Sequence, residues 1–403
     1  MPDYDLIIRH AQLRSQPAGS LNDIAIQDGK IAAIQATLPG SAARELDAAG
    51  GLVTEAYANA HLHLCKVYTL ERMDESALKD YHGADMGKAM TAIELAAQVK
   101  ESYDERWIIE NVRRALNEAV RNGCVHIRAF ADVDSKARLE GVKALIRARE
   151  EYKGVLNVQV VAFAQDGVVR EPGARELMEQ AMALGADVVG GIPWIEYTDA
   201  DILEHVRFIF DLAQRHDRDV SMLVDDAGDP GLRSLEAMAL ETIQRSWQGR
   251  SLAHHARAMS LYPTPYFQKV AALLKKANMG VVSDPHTGPL HARVRELLAE
   301  GCLVCLGQDD ISDAYYPFGR NNMQEVAFLA AHLLWFTARA DIETLYDMVT
   351  TRAAQAMGLR DCTLTPGAPA HLVVLGQKNV VEALRYHAAP RFVVSHGKVI
   401  AEH

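Results

Sequence analysis

Eight times between residues 51 and 310 the chain returns to a short apolar run rich in β-branched residues. The runs are GLVTEAYANAHLH, CVHIRAF, NVQVVAF, ADVVGGIP, DVSMLVD, SLAHH, MGVVSD and CLVCLGQDD. Helical periodicity fills most of the intervals, as in TAIELAAQVKESYDERWIIENVRRALNEAVRNG (91–123) and DADILEHVRFIFDLAQRHD (199–217). Eight strand–helix units over such a span predict an α/β fold of the (β/α)8 TIM-barrel type.

The flanks differ. YDLIIRH and DIAIQDGKIAAI near the start, and HLVVLG and RFVVSHGKVIA near the end, are short strands joined by Asp-Gly and His-Gly turns. Neither group alone has enough strands to bury a face. The two ends are therefore expected to join into one small β-sandwich domain, residues 1–55 plus 366–403, beside a barrel over 56–365.

Composition limits the partners. With 24% charged residues, a formal net charge of -11 and no block of Lys or Arg, the chain offers no electrostatic footprint for nucleic acid or an anionic membrane. No apolar run approaches the ~20 residues of a spanning helix. The first residues lack a secretory pattern, and five cysteines do not make a disulfide framework. A cytoplasmic location is expected. Cys302 and Cys305 form a CxxC inside an apolar run, with no second CxxC to complete a four-sulfur site, and read as small buried hydrophobes.

A barrel collects its chemistry where strands end. The runs end in His61 and His63, Gln165, Asp225 and Asp226, His254 and His255, Asp284, and Asp309 and Asp310. His61 and His63 are two apart on a strand and project to one face. Two imidazoles at a barrel mouth suit zinc, iron or another divalent transition ion, and Asp309 offers an anionic ligand or a general base. The alternative for the His-x-His alone is a strand with two polar residues. His254 is expected to face the helical shell.

NAHLHLCK after the first strand, GQDD after the eighth and the split β module resemble the amidohydrolase superfamily. The branch most similar is that of cytosine deaminase and N-isopropylammelide amidohydrolase. The stretches DVDSKARLEGVKALIRAREE, LNVQVVAFAQDG, LGADVVGGIP and DDISDAYYPFGRNNMQ carry that likeness. The resemblance implies one divalent transition metal ion, zinc or iron, held by His61, His63 and Asp309. It implies catalytic roles for Asp309 as proton acceptor, Asp226 as proton shuttle and His255 as orienting group. Gln165, Asp310 and Tyr315 fall where the branch lines its pocket; Trp194 and His286 follow strands four and seven and join them as candidate substrate contacts. Lys66 reads as a salt-bridged lysine.

The implied activity is hydrolysis of a C–N bond in a cyclic amine or amide, a heterocyclic small molecule, by hydroxide on the metal. The departures open an alternative. Where the family carries a strand-five metal histidine this chain has Leu223, its shuttle glutamate is Asp226, and two further family histidines are Phe130 and Gln308. The ion then keeps three protein ligands, or recruits Asp225 or Asp226, or is lost, which leaves a barrel that binds a heterocycle without turnover. A homo-oligomer through the helix-rich region 321–357 is left open.

Overall fold

The run 51–63, expected as one strand, divides at Ala56. The structure, a computed structural model, describes residues 2–73 and 97–403. It contains β1 (Tyr4–Leu13), β2 (Leu21–Gln27), β3 (Lys30–Gln35), β4 (Ala42–Asp47) and β5 (Leu52–Glu55). These are followed by β6 (Tyr57–Leu62), β7 (Cys124–Asp132), β8 (Asn157–Ala164), β9 (Val188–Gly191), β10 (Asp219–Val224), β11 (Ser251–His255), β12 (Gly280–Ser283) and β13 (Val304–Leu306). The chain ends with β14 (Leu372–Val374), β15 (Phe392–Ser395) and β16 (Lys398–Glu402). Thus β5 serves one sheet and β6 the other, with a single residue between them. β6 is fully buried, and β5 is buried up to its last residue, the half-buried Glu55 that precedes the break.

The terminal strands form one mixed sheet in the order β16-β15-β14-β5-β1-β2-β3, with β4 also pairing β1. Its core holds Ile8, Ile24, Ile26, Val53, Leu372, Val374 and Val394. The Asp28-Gly29 and His396-Gly397 turns both have positive φ at each central residue, the type I′ geometry that matches strand twist. A Cβ on Gly397 would lie 2.6 Å from the Gly29 Cα, so the two turns meet backbone to backbone.

The second sheet is the barrel. β6 to β13 lie side by side in chain order, every neighbouring pair parallel. Helices such as Asp199–His216 and Thr264–Ala277 turn Val206, Ile209, Val270 and Leu274 onto the outer face of the strands. The helical stretch expected over 91–123 is interrupted. Residues 91–96 lie outside the described residues, and Asp104, accepting a hydrogen bond from Arg106 N, caps a separate helix Glu105–Asn122. Inside the barrel, alternation along β7 stacks Arg128 and Phe130. Arg128 is bonded to Gln159, Ser221 and the Met357 carbonyl, and burial pushes its guanidinium down to about 10. Cys302 and Cys305 are both buried. Among the described residues no helix is long and apolar enough to cross a membrane.

Candidate active site

The barrel closes between its last and first strands by a bridge that pairs Leu62 with Asp309. Asp309 N donates to the His61 carbonyl at 2.8 Å, and His63 N donates to the Asp309 carbonyl at 2.7 Å. The hydrogen bonds that seal the barrel therefore bring His61, His63 and Asp309 together. Asp309 has φ 64, a left-handed backbone unusual for a residue with a side chain. From there Asp309 Oδ1 lies 2.9 Å from His61 Nε2 and 3.4 Å from His63 Nε2.

These spacings fit a metal ion. Donors at about 2.0–2.2 Å from a tetrahedral centre stand roughly 3.4 Å apart. His61 Nε2 is fully buried and makes no hydrogen bond among the described residues. Burial pushes the His61 imidazole down to about 3 and the His63 imidazole well below its ordinary value, so both are neutral and carry a free lone pair. Asp309 is pushed up to about 6, by burial first, with His286 opposing. Among the described residues, Asp132, Asp134, Asp226, Asp284, Asp309, Asp310 and Asp313 are buried in and beneath the mouth with the cations Lys66, Lys100 and Arg257. A divalent cation relieves that excess of carboxylate.

His254 departs from expectation. It pairs in register with Leu223 on one side and Val282 on the other, all facing the barrel axis rather than the helices. Its Nδ1 is 2.5 Å from His61 Nδ1, and a proton on His61 Nδ1 donated to His254 Nδ1 would leave the His61 Nε2 lone pair free for a metal. Strand alternation would then send His255 outward, but His255 itself has φ 65 and turns back into the mouth. Its Nε2 reaches to 3.8 Å from Asp309 Oδ2, and its Nδ1 to 3.3 Å from Asp284 Oδ2.

A small cavity of about 40 Å³ opens above these groups. His63, Gln165, Trp194, Asp226, His255, Asp309, Asp310 and Tyr315 all line it, while His61 lies below. His286 stands at the rim, its Nε2 3.3 Å from Asp310 Oδ2 and 3.6 Å from Asp309 Oδ2. Leu223 belongs to an apolar wall with Phe130, Phe163, Ile192 and Trp194, and Phe130 stacks on the His61 ring at 4.5 Å.

Two adjacent acids have opposite surroundings. Asp225 points away from the mouth and accepts from Ser234 N, Ser234 Oγ, Leu235 N and Tyr262 Oη. Asp226 faces the pocket and is held through Oδ1 by the Nε of buried Arg257. Burial pushes the Asp226 carboxyl up while Arg257 opposes the rise. Arg257, two residues beyond His255, lines the pocket without any signal in its sequence context. Lys66 does sit beside a carboxylate, 3.4 Å from Asp132, but it also donates to Gln165 Oε1 at 2.9 Å inside the pocket.

The amidohydrolase family model matches residues 44–401. The chain belongs to the amidohydrolase family. A solved structure of 5-methylcytosine deaminase from Klebsiella pneumoniae, liganded with phosphonocytosine, is 32% identical, covers 98% of each chain and superposes with a TM-score of 0.89. N-isopropylammelide isopropylaminohydrolase from Burkholderia multivorans ATCC 17616 is 25% identical with a TM-score of 0.87, over 99% of this chain and 98% of that one. N-isopropylammelide isopropyl amidohydrolase from Pseudomonas sp. (strain ADP) is 28% identical over 99% of this chain and 98% of its own length. This amidohydrolase is an enzyme, a hydrolase, and its barrel is that of its relatives.

Proposed function

We propose that this amidohydrolase hydrolyses an exocyclic C–N bond of a nitrogen heterocycle, with one divalent transition ion, zinc or iron, held by His61, His63 and Asp309. The observation that carries the proposal is the approach of both imidazole Nε2 atoms to Asp309 Oδ1, at 2.9 and 3.4 Å, at the seam of the barrel. When bound, such an ion supplies Lewis acidity and lowers the pKa of water toward ~7. The chain supplies the proton transfers and the orientation.

Asp309, raised by burial to about 6, is poised to accept a proton near neutral pH. His255, held in the mouth by its left-handed backbone, donates a hydrogen bond to charge that develops on the attacked centre. Asp226 gives its proton to the ring nitrogen, and the proton that Asp309 took up goes on, through Asp226, to the leaving amine, with Arg257 fixing the Asp226 carboxylate. Lys66 can only donate, so its bond to Gln165 Oε1 fixes the amide and turns the Gln165 NH2 group toward the cavity. That group suits a ring carbonyl. Asp310 accepts from a ring N–H, and Trp194, Tyr315 and His286 pack around a flat ligand.

The test is a screen for ammonia or alkylamine release across pyrimidines, triazines and pterins, paired with metal analysis of the purified protein. Turnover that needs a bound transition ion and falls at least ~100-fold in Asp309→Asn is expected. Tight ligand binding with no turnover, or turnover unchanged in Asp309→Asn, refutes the proposal.

A further inference from the structure

We infer that Asp284, at the end of β12, supplies the metal with the protein ligand that Leu223 cannot give. The inference rests on the metal reading above. Leu223 has no lone pair, and three carboxylates at the ends of strands five and seven are candidates to replace it. Asp225 is spent on Ser234, Leu235 and Tyr262, as its four hydrogen bonds show. Asp226 is paired with Arg257. Asp284 is the carboxylate left over.

Three observations place it. The Asp284 side chain is fully buried, yet neither carboxylate oxygen accepts a hydrogen bond among the described residues. A buried carboxylate without donors is costly unless a cation or a proton meets it. One donor atom each from His61, His255 and Asp284 lie within 4.8 Å of one another, so Asp284 shares His61 with the trio that includes His63 and Asp309. Strand eight is also shaped to admit it. At Gly307 a Cβ would stand 2.3 Å from Asp284 Oδ1 and 2.6 Å from the His61 Cβ. Any side chain at residue 307 would push the carboxylate off His61.

The site therefore keeps an oxygen donor on strand seven in place of an imidazole on strand five, and the pocket wall at Leu223 is released to become apolar.

The experiment loads the intact enzyme with Co²⁺ and reads affinity by chelator competition and coordination by the visible ligand-field spectrum. Wild type, Asp284→Asn and the double variant Asp284→Asn/Leu223→His are compared, each checked for folding by circular dichroism. Loss of an outer-shell partner weakens metal sites about 10–100-fold; loss of a ligand in Asp284→Asn is expected to exceed about 100-fold and to change the spectrum. The double variant is expected to regain affinity, because an imidazole returns from strand five. A folded Asp284→Asn protein with wild-type affinity and spectrum overturns the inference and leaves the proposed function standing. A wild-type protein that binds no transition ion overturns both. Should Asp284→Asn not fold, Asp284→Glu carries the test. It keeps the charge but moves the oxygens by one methylene, so an unchanged spectrum overturns the inference and a changed one supports it.

Discussion

Far from the mouth, where the bottom of the barrel meets the terminal sheet, three histidines stand in a row. The rings of His126 and His371 are 5.0 Å apart, and those of His371 and His396 are 4.5 Å apart. His126 Nδ1 accepts from the Asn157 amide at 3.0 Å, and its Nε2 lies 4.0 Å from Cys362 Sγ. His371 Nδ1 accepts from His396 N and Ser395 Oγ, both at 3.3 Å. Each Nδ1 is thus committed as an acceptor, and a proton there would face a donor. Burial, then the neighbouring histidines, pushes His126 down to about 3 and His371 down to about 4.

The sign follows from linkage. The unfolded chain protonates these groups near 6.5 while the folded one does not, so their stabilisation is complete above pH 6.5 and is lost as pH falls toward 4 and 3. At pH 5, 1.5 units below 6.5, the loss is about 2 kcal/mol for each, or about 4 kcal/mol together. That is a large part of an ordinary domain stability of about 5–15 kcal/mol. The perturbation is His126→Gln, which keeps a polar side chain and removes the titration. Urea unfolding at pH 7 and pH 5 gives the drop in stability for wild type and variant, and the variant's drop is expected to be smaller by about 2 kcal/mol. Other buried histidines titrate too, but they do so in both proteins and cancel. Equal drops in the two proteins would refute the argument, whatever the variant's absolute stability.

Two further outcomes are expected. Lys66→Met strands the buried Asp132 carboxylate, whose oxygens have no hydrogen-bond donor among the described residues. It should cost roughly 3–5 kcal/mol by thermal or urea unfolding and raise KM as Gln165 loses its orientation; an unchanged melting temperature and KM argue that Lys66 is idle. Gly397→Ala meets φ 76 and the Gly29 Cα at 2.6 Å, whereas Gly154→Ala meets φ 79 with nothing within 4 Å. Both carry the left-handed cost of about 1–2 kcal/mol, and urea unfolding should show Gly397→Ala to be clearly the worse. Equal costs would mean that the two turns do not press on one another.

The barrel was legible because each of its strands is an apolar run bounded by polar residues and followed by helical periodicity. The collection of polar strand ends at one mouth followed from topology alone. What escaped the sequence is local backbone geometry. The division at Ala56 follows Thr54 and Glu55, which read as polar residues within one strand because β6 resumes one residue later with no Gly or Pro between. His254 was expected to face the helices because two adjacent strand residues cannot both point inward, unless the second turns back. The positive φ at His255 does that, and no side-chain pattern announces it. Asp225 and Asp226 read as interchangeable acids, yet the first is consumed by the N-terminal turn of the helix Ser234–Gln244 and the second by Arg257.

Two of the residues that separate this chain from the family motif, Phe130 on β7 and Leu223 on β10, join Phe163 and Trp194 as a continuous apolar wall. At the seam between β13 and β6, His61, His63 and Asp309 are fixed by the same hydrogen bonds that close the barrel. Closure cannot be given up without losing the fold, so the seam side of the site is coupled to stability, and the apolar wall is not. A substitution such as histidine to leucine at residue 223 can therefore reshape the pocket for a different heterocycle while the seam stays intact. Its consequence is electrostatic: an imidazole is removed where buried carboxylates already outnumber cations. Around it Asp226 has the Arg257 guanidinium, and Asp284 lies beside His61 and His255. On the proposed reading, Arg257 neutralises the acid that stays in the pocket and Asp284 faces the ion that His61, His63 and Asp309 would hold.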